Sequence, residues 1–229
     1  MPRNDYQKKL SELRDDVLYM SEVVAERLRM GLDALEQKDE ELADQVIQGD
    51  GEINRMYLDL EQDCVDLLAL QQPVAGDLRF IAASFKIITD LERIADLATN
   101  LGGYAIEAEK DVFPDVDVQR LGEYTLDMLD GAMHAYSEEV PDECRAVAEA
   151  DEDLDAMCGA ASETVVRDLI ETDEFDAGAE TSDGEMETLM QDVSRLLLTI
   201  RDLERVGDHA VNIAARTLYM IESDDELIY

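Results

Sequence analysis

Glu92, Asp96 and Asn100 recur at four-residue intervals, and the same ladder returns as Glu204, Asp208 and Asn212. Both ladders sit inside one segment written twice, Asp90-Leu-Glu-Arg-Ile-Ala-Asp-Leu-Ala-Thr-Asn100 and Asp202-Leu-Glu-Arg-Val-Gly-Asp-His-Ala-Val-Asn212, with seven of eleven positions identical. On an α-helix, residues i, i+4 and i+8 lie along one stripe, so each copy presents a row of oxygen atoms on one face. Oxygen-only side chains in that arrangement suit a hard cation. Composition alone would produce acidic pairs freely, because Asp and Glu account for 57 of 229 residues. Roughly fourteen i, i+4 acidic pairs are expected by chance at that density. An isolated pair therefore carries no meaning, and its position in the chain must supply it.

A second doubled motif supplies that position. Asp50-Gly-Glu-Ile-Asn54 and Asp151-Glu-Asp-Leu-Asp155 also match, one on each side of the midpoint. Each precedes its ladder across a predicted helical hairpin. In the first half the turn centres on Pro73, with Asn54 and Glu92 equidistant from it, and Asp50 and Asp96 equidistant one helical turn further out. In the second half Asp155/Glu204 and Asp151/Asp208 share one midpoint within Asp176–Glu180. Rise per residue is constant in a helix, so equidistant residues on antiparallel neighbours meet at one level. The candidate ligands are thus Asp50, Asn54, Glu92 and Asp96 at one site and Asp151, Asp155, Glu204 and Asp208 at the other.

Gathering carboxylates is costly. Two of them about 5 Å apart repel by roughly 3 kcal/mol at an effective dielectric near 20. A cation offsets that cost, and a ligand set without Cys, and with His in no matching position, favours iron(III), manganese or magnesium. Solvent-exposed acids bathed in potassium are the plain alternative. With four carboxylates at the second site and three at the first, the second is expected to bind a highly charged metal more tightly. Arg93 and Arg205, each three residues from an acid on either side, read as intrahelical ion-pair partners that orient the carboxylates. His209 falls off the ladder stripe, at the surface or behind the ligands, and His134 has no supporting pattern.

The elements that must carry these residues are helices. Four Pro, 12 Gly and no Trp, with abundant Ala, Leu, Glu and Met, predict an all-α chain. Apolar residues at three-four spacing predict a first helix from Tyr6 to about Gln37, a second from the Lys38-Asp39 break to Gln72-Pro73, and a third from about Asp77 to Gly102-Gly103 or one turn beyond. After a connector at Lys110–Asp117 the plan repeats. A fourth helix runs to about Val140, stopped by Pro141; a fifth carries Cys144 to Leu169; the stretch from Glu171 to Gly184 is loop; and a sixth carries Met190 to Ile213. The fold expected is two tandem three-helix bundles, residues 1–110 and 111–229, related by duplication.

Charge and composition restrict the function classes. A net charge of −38, spread through the helices with 19 basic residues against 57 acids, gives a field of the wrong sign for nucleic acid or an anionic membrane. It resembles the surface of a protein from a salt-in halophile, where concentrated cations screen self-repulsion. No uninterrupted apolar run approaches a transmembrane span, and the N-terminus has no signal-peptide core, so a cytoplasmic location is expected. Cys64, Cys144 and Cys158 form no CxxC pair and read as small buried apolar residues.

Gln72-Pro-Val-Ala-Gly-Asp-Leu-Arg79 followed by Asp90-Leu-Glu-Arg-Ile-Ala-Asp96, together with Asp202-Leu-Glu-Arg-Val-Gly-Asp-His-Ala-Val-Asn-Ile213, resembles the PhoU family of phosphate-uptake regulators over essentially the whole chain. The resemblance implies a cytoplasmic pair of three-helix bundles whose acidic motifs bind metal, iron foremost, with manganese, magnesium or zinc as alternatives. It also implies a non-catalytic regulator, a homodimer, that restrains a phosphate ABC transporter through its ATPase subunit when phosphate is plentiful. In bacteria a sensor kinase is a further partner, a branch that a haloarchaeon could lack. Ala95 stands where the family usually has Gly, and Asn54 replaces a carboxylate, which sets the two sites apart. Two other classes compete with this reading. A di-iron or di-manganese carboxylate enzyme needs Glu-x-x-His pairs, but Gly131 and Val206 stand three residues before the two histidines. A purely structural helical adaptor leaves the mirrored acidic groups without a role.

Overall fold

The computed structural model describes residues 3–70, 73–107, 116–171 and 183–228. Six helices occupy them: α1 Arg3–Gln37, α2 Glu40–Leu70, α3 Ala75–Glu107, α4 Val118–Glu138, α5 Pro141–Glu171 and α6 Asp183–Glu222. Among the described residues there is no strand. The first three pack on one another, the last three do the same, and the two bundles meet where α3 lies on α6 and α1 on α4. The all-α, paired three-helix architecture expected from the sequence is the one observed.

Local chemistry sets the helix boundaries. Lys38 takes a left-handed φ of 52° after α1, and Asp39 Oδ1 then accepts from the Leu42 amide at 3.0 Å, capping α2. Asp117 caps α4 through the Arg120 amide at 3.0 Å, and Glu139, at φ 56°, closes it. Pro141 does more than stop the fourth helix: it is the first residue of α5, where its missing N–H costs nothing. Helix α3 runs through Gly102-Gly103 to Glu107. A Cβ at Gly102 would stand 3.1 Å from the Ala43 carbonyl, so glycine here lets α2 and α3 approach closely. The stretch assigned to loop is shorter than expected at both ends, since Glu171 closes α5 and Asp183-Gly184 open α6. Its interior, most of the connector and Gln72 lie outside the described residues, as does the boundary between residues 110 and 111.

The main apolar core runs continuously through both bundles, with a small satellite of Ala34, Ala43 and Ala105 beside it. It runs from Leu13, Val17, Met20 and Leu28 through Ile87, Leu91 and Ile94 to Leu203, Val206 and Ile213. All three cysteines are buried in the fold, as expected. At the α1–α4 contact the Arg14 guanidinium lies 5.0 Å from the Phe80 ring centre and 5.9 Å from that of Tyr136. The two rings stack at 6.1 Å, and Tyr136 shares a 2.8 Å hydroxyl hydrogen bond with Ser84. The duplicated halves are therefore joined through their interior, a rigid frame for what lies on α2–α3 and α5–α6.

Candidate metal centre

Each helical hairpin brings its predicted residues to one level. On α2 and α3, burial and then the Asp96 charge raise the Asp50 pKa, and burial followed by the charges of Asp96 and Asp50 raises that of Glu92. Asn54 joins them by donating from Nδ2 to Asp50 Oδ2 at 2.7 Å. On α5 and α6, Asp151 feels Asp155, Asp208 and Glu204, while Glu204 and Asp208 each feel Asp155. Both pairings read from the sequence are thus close in the second half, and the Asp50/Asp96 pairing is close in the first.

The two groups differ in electrostatics. At the second, burial first, and the three neighbouring carboxylates next, push the Asp151 pKa up to about 6. Its Oδ1 atom is buried and has no hydrogen-bond partner. A buried orphan oxygen among four carboxylates is costly and fits a cation-sized positive charge. In the first group the Asn54 amide already satisfies one Asp50 oxygen and lowers its proton affinity, opposing burial and the Asp96 charge. Among the described residues, no three His, Cys, Asp or Glu side chains converge on one point as they stand. Ligation therefore requires the carboxylates to turn inward, and the frame supplies their common level.

Gly207 shapes the second group. A Cβ there would come to 2.3 Å from Leu154 Cδ2 and 3.3 Å from Asp151 Oδ1, so its absence lets α5 and α6 close around Asp151. Ala95 occupies the equivalent place in the first repeat.

The arginines behave as expected. Arg93 pairs with Asp96 at 3.2 Å and with Glu92 at 3.5 Å on its own helix, and Arg205 lies 3.7 Å from Asp202. The last rung of each ladder does not. Asn100 and Asn212 turn away from the carboxylates and cross to the other repeat, donating to Asp202 and Asp90 respectively. Of the two places left open for His209, the structure gives the one behind the carboxylates: it is half-buried, and its Nδ1–H donates to Asp90 Oδ1 at 2.9 Å in the α3–α6 contact. His134 pairs with Glu143 at 2.6 Å across the α4–α5 turn. Asp90 and Asp202, which accept these cross-repeat bonds, are the residues that a ladder reading passes over. Their signal was present, since both lie within the identical positions of the doubled segment.

The PhoU domain profile matches residues 17–105 and 118–217, one match per bundle, each containing a complete set of the four paired positions. The chain belongs to the PhoU family. A relative from Methanothermobacter thermautotrophicus, the phosphate-specific transport system accessory protein PhoU homolog 1, is 31% identical over 223 residues, spanning 96% of this chain and 95% of that one. The PhoU homolog of Pseudomonas aeruginosa is 31% identical over 223 residues, 96% of this chain and 86% of its own. The crystal structure of PhoU from Pseudomonas aeruginosa superposes with a TM-score of 0.84 at 30% identity, covering 96% of this chain and 100% of that chain. The phosphate transport system regulatory protein PhoU from Streptococcus pneumoniae gives 0.83 at 25% identity, over 96% and 98%. Membership of the PhoU family accounts for the duplication.

Proposed function

We propose that this chain is a non-catalytic accessory regulator of phosphate uptake that holds cations at two unequal carboxylate sites. Asp151, Asp155, Glu204 and Asp208 would hold the tighter ion, and Asp50, Glu92 and Asp96, with the Asn54 carbonyl turned inward, the weaker. Iron is the first candidate, with manganese, magnesium or zinc as alternatives. Relatives named as phosphate-specific transport system accessory proteins, matching nearly end to end, support the transport role. One observation carries the metal reading: the buried, partnerless Asp151 Oδ1 among four mutually repelling carboxylates. A bound cation would replace that repulsion with attraction and fix the spacing of α5 and α6.

The partner proposed is the ATPase subunit of a phosphate ABC transporter, engaged in the cytoplasm when phosphate is sufficient, with a sensor kinase as a further partner. Among the described residues no helix is long and apolar enough to cross a membrane. Both histidines are engaged elsewhere, with Asp90 and Glu143, which leaves the carboxylate groups without the nitrogen ligands of a di-iron enzyme.

Metal analysis of protein purified in high salt, with pull-down of the ATPase subunit at low and high phosphate, tests the proposal. Bound metal and phosphate-dependent capture are expected. Metal-free protein with no phosphate-dependent partner would defeat it. Titration of Asp155→Asn and Asn54→Asp variants tests the inequality: the first should weaken the second site and the second strengthen the first.

A further inference from the structure

The doubled segment does two jobs on two faces of each helix. At about 100° per residue, Glu92 and Asp96 share one face of α3. Asn100, Tyr104 and Asp90 follow round the helix at about 40°, 80° and 120° from Asp96, opening onto a neighbouring face. The same holds on α6 for Glu204 and Asp208 against Asp202, His209 and Asn212. These second faces meet each other. Asn100 Nδ2 donates to Asp202 Oδ2 at 3.1 Å, and Asn212 Nδ2 donates to Asp90 Oδ1 at 3.4 Å. The first Asp of each copy thus accepts from the last Asn of the other, and both pairs share one midpoint along the antiparallel helices. Tyr104 adds a 2.9 Å bond to Asp202, and His209 adds its 2.9 Å bond to Asp90.

The two asparagines are exposed and their acceptors are more enclosed. Asp202 is 0% exposed, with Arg201 Nη2 at 2.8 Å on its other oxygen. His209 stands between the two ladders, close enough for its charge to act on Glu92 of one and Asp208 of the other.

We propose that the reciprocal Asp–Asn clasps are positioning devices that couple the two carboxylate groups, so that a divalent cation held at one raises the affinity of the other. The inference rests on reading those groups as cation sites. Neither group converges as it stands, so the first cation must order its carboxylates and the helix that carries them. With α3 and α6 clasped face to face, that ordering is shared, and the second cation binds a partner already set. Direct repulsion between the two cations is screened in concentrated salt.

Mn2+ titration in molar KCl, followed by the electron paramagnetic resonance signal of free Mn2+, tests this in four proteins. They are the native chain, the site-one variant Asp50→Ala/Asp96→Ala, the clasp variant Asn100→Ala/Asn212→Ala, and their combination. Each is first shown to unfold cooperatively, and Tyr104→Phe serves as a milder clasp variant. Disabling site one should weaken Mn2+ binding at site two by about 5-fold or more when the clasps are intact. With the clasps cut, the same change should cost less than roughly 2-fold, and Tyr104→Phe should fall between. A site-two affinity indifferent to site one, or an equal loss in both backgrounds, overturns the coupling while leaving the cation sites standing. Absence of Mn2+ binding to the native chain at either group overturns the cation reading itself, and the coupling with it.

Discussion

Replacing Asp151 by Asn should reverse the sign of its effect on stability according to whether a cation is present. In the chelated protein the Asp151 carboxyl has its pKa raised from 3.8 to about 6, by burial and then by Asp155, Asp208 and Glu204. Its charged form is therefore disfavoured in the folded state. Over that interval the full penalty is roughly 3 kcal/mol. Solvent access and screening at a four-carboxylate surface group reduce it to about 1.5 kcal/mol. A raised carboxyl pKa withholds stability above about 6, and the penalty is relieved as pH falls from there towards 3.8. Asp151→Asn should thus stabilise the chelated protein by about 1.5 kcal/mol at pH 7.5, a melting shift of roughly 3–6 °C for a chain of this size. The gain should shrink to about a third near pH 4.5, where the native carboxyl is mostly protonated. Saturating Mn2+ inverts the order, since a ligand at 100 times its Kd contributes about 2.7 kcal/mol to whichever protein binds it. The assay is thermal unfolding at fixed KCl, with chelator or with Mn2+, across that pH range. A variant less stable than the native chain in chelator at pH 7.5, or a gain that does not depend on pH, would refute the reasoning.

Three further outcomes follow from the packing. Gly207→Ala forces a Cβ to within 2.3 Å of Leu154 Cδ2 in the core, and should destabilise by about 1–3 kcal/mol in denaturant unfolding. Arg14→Ala removes the cation from above Phe80 and Tyr136 and its bond to the Ser137 carbonyl, linking α1 to α4. The expected cost is about 1–2 kcal/mol by the same assay. Tyr136→Phe should cost only about 1 kcal/mol, because Ser84 Oγ keeps its 2.9 Å bond to the Phe80 carbonyl.

Much of the fold was legible because helix periodicity and proline placement are local signals. Pro141 was misjudged only in degree: it both ends one helix and begins the next. The carboxylate groups were legible for a geometric reason, since antiparallel neighbours with constant rise bring equidistant residues together, and repetition in two halves removed coincidence. The last rung of each ladder was the failure. Asn100 and Asn212 share the stripe of the carboxylates to within a small rotation, and four-residue spacing cannot resolve which of two adjacent faces a residue serves. That distinction depends on where α6 crosses α3, a tertiary fact. For His209 the sequence left two places open, the surface or behind the ligands, and the contact that decides between them lies 119 residues away. The continuity of the main apolar core through both bundles was also beyond a repeat-by-repeat reading, since α1–α4 and α3–α6 contacts join residues that no local pattern pairs.

The most direct test of the account is a competition titration of the chelated protein with Mn2+ in concentrated KCl, comparing the native chain with Asp151→Asn. Two unequal classes of site are predicted for the native chain, with the tighter one weakened by at least about tenfold in the variant, consistent with loss of one charged ligand. A single weak class of binding, the same in both proteins, would contradict it.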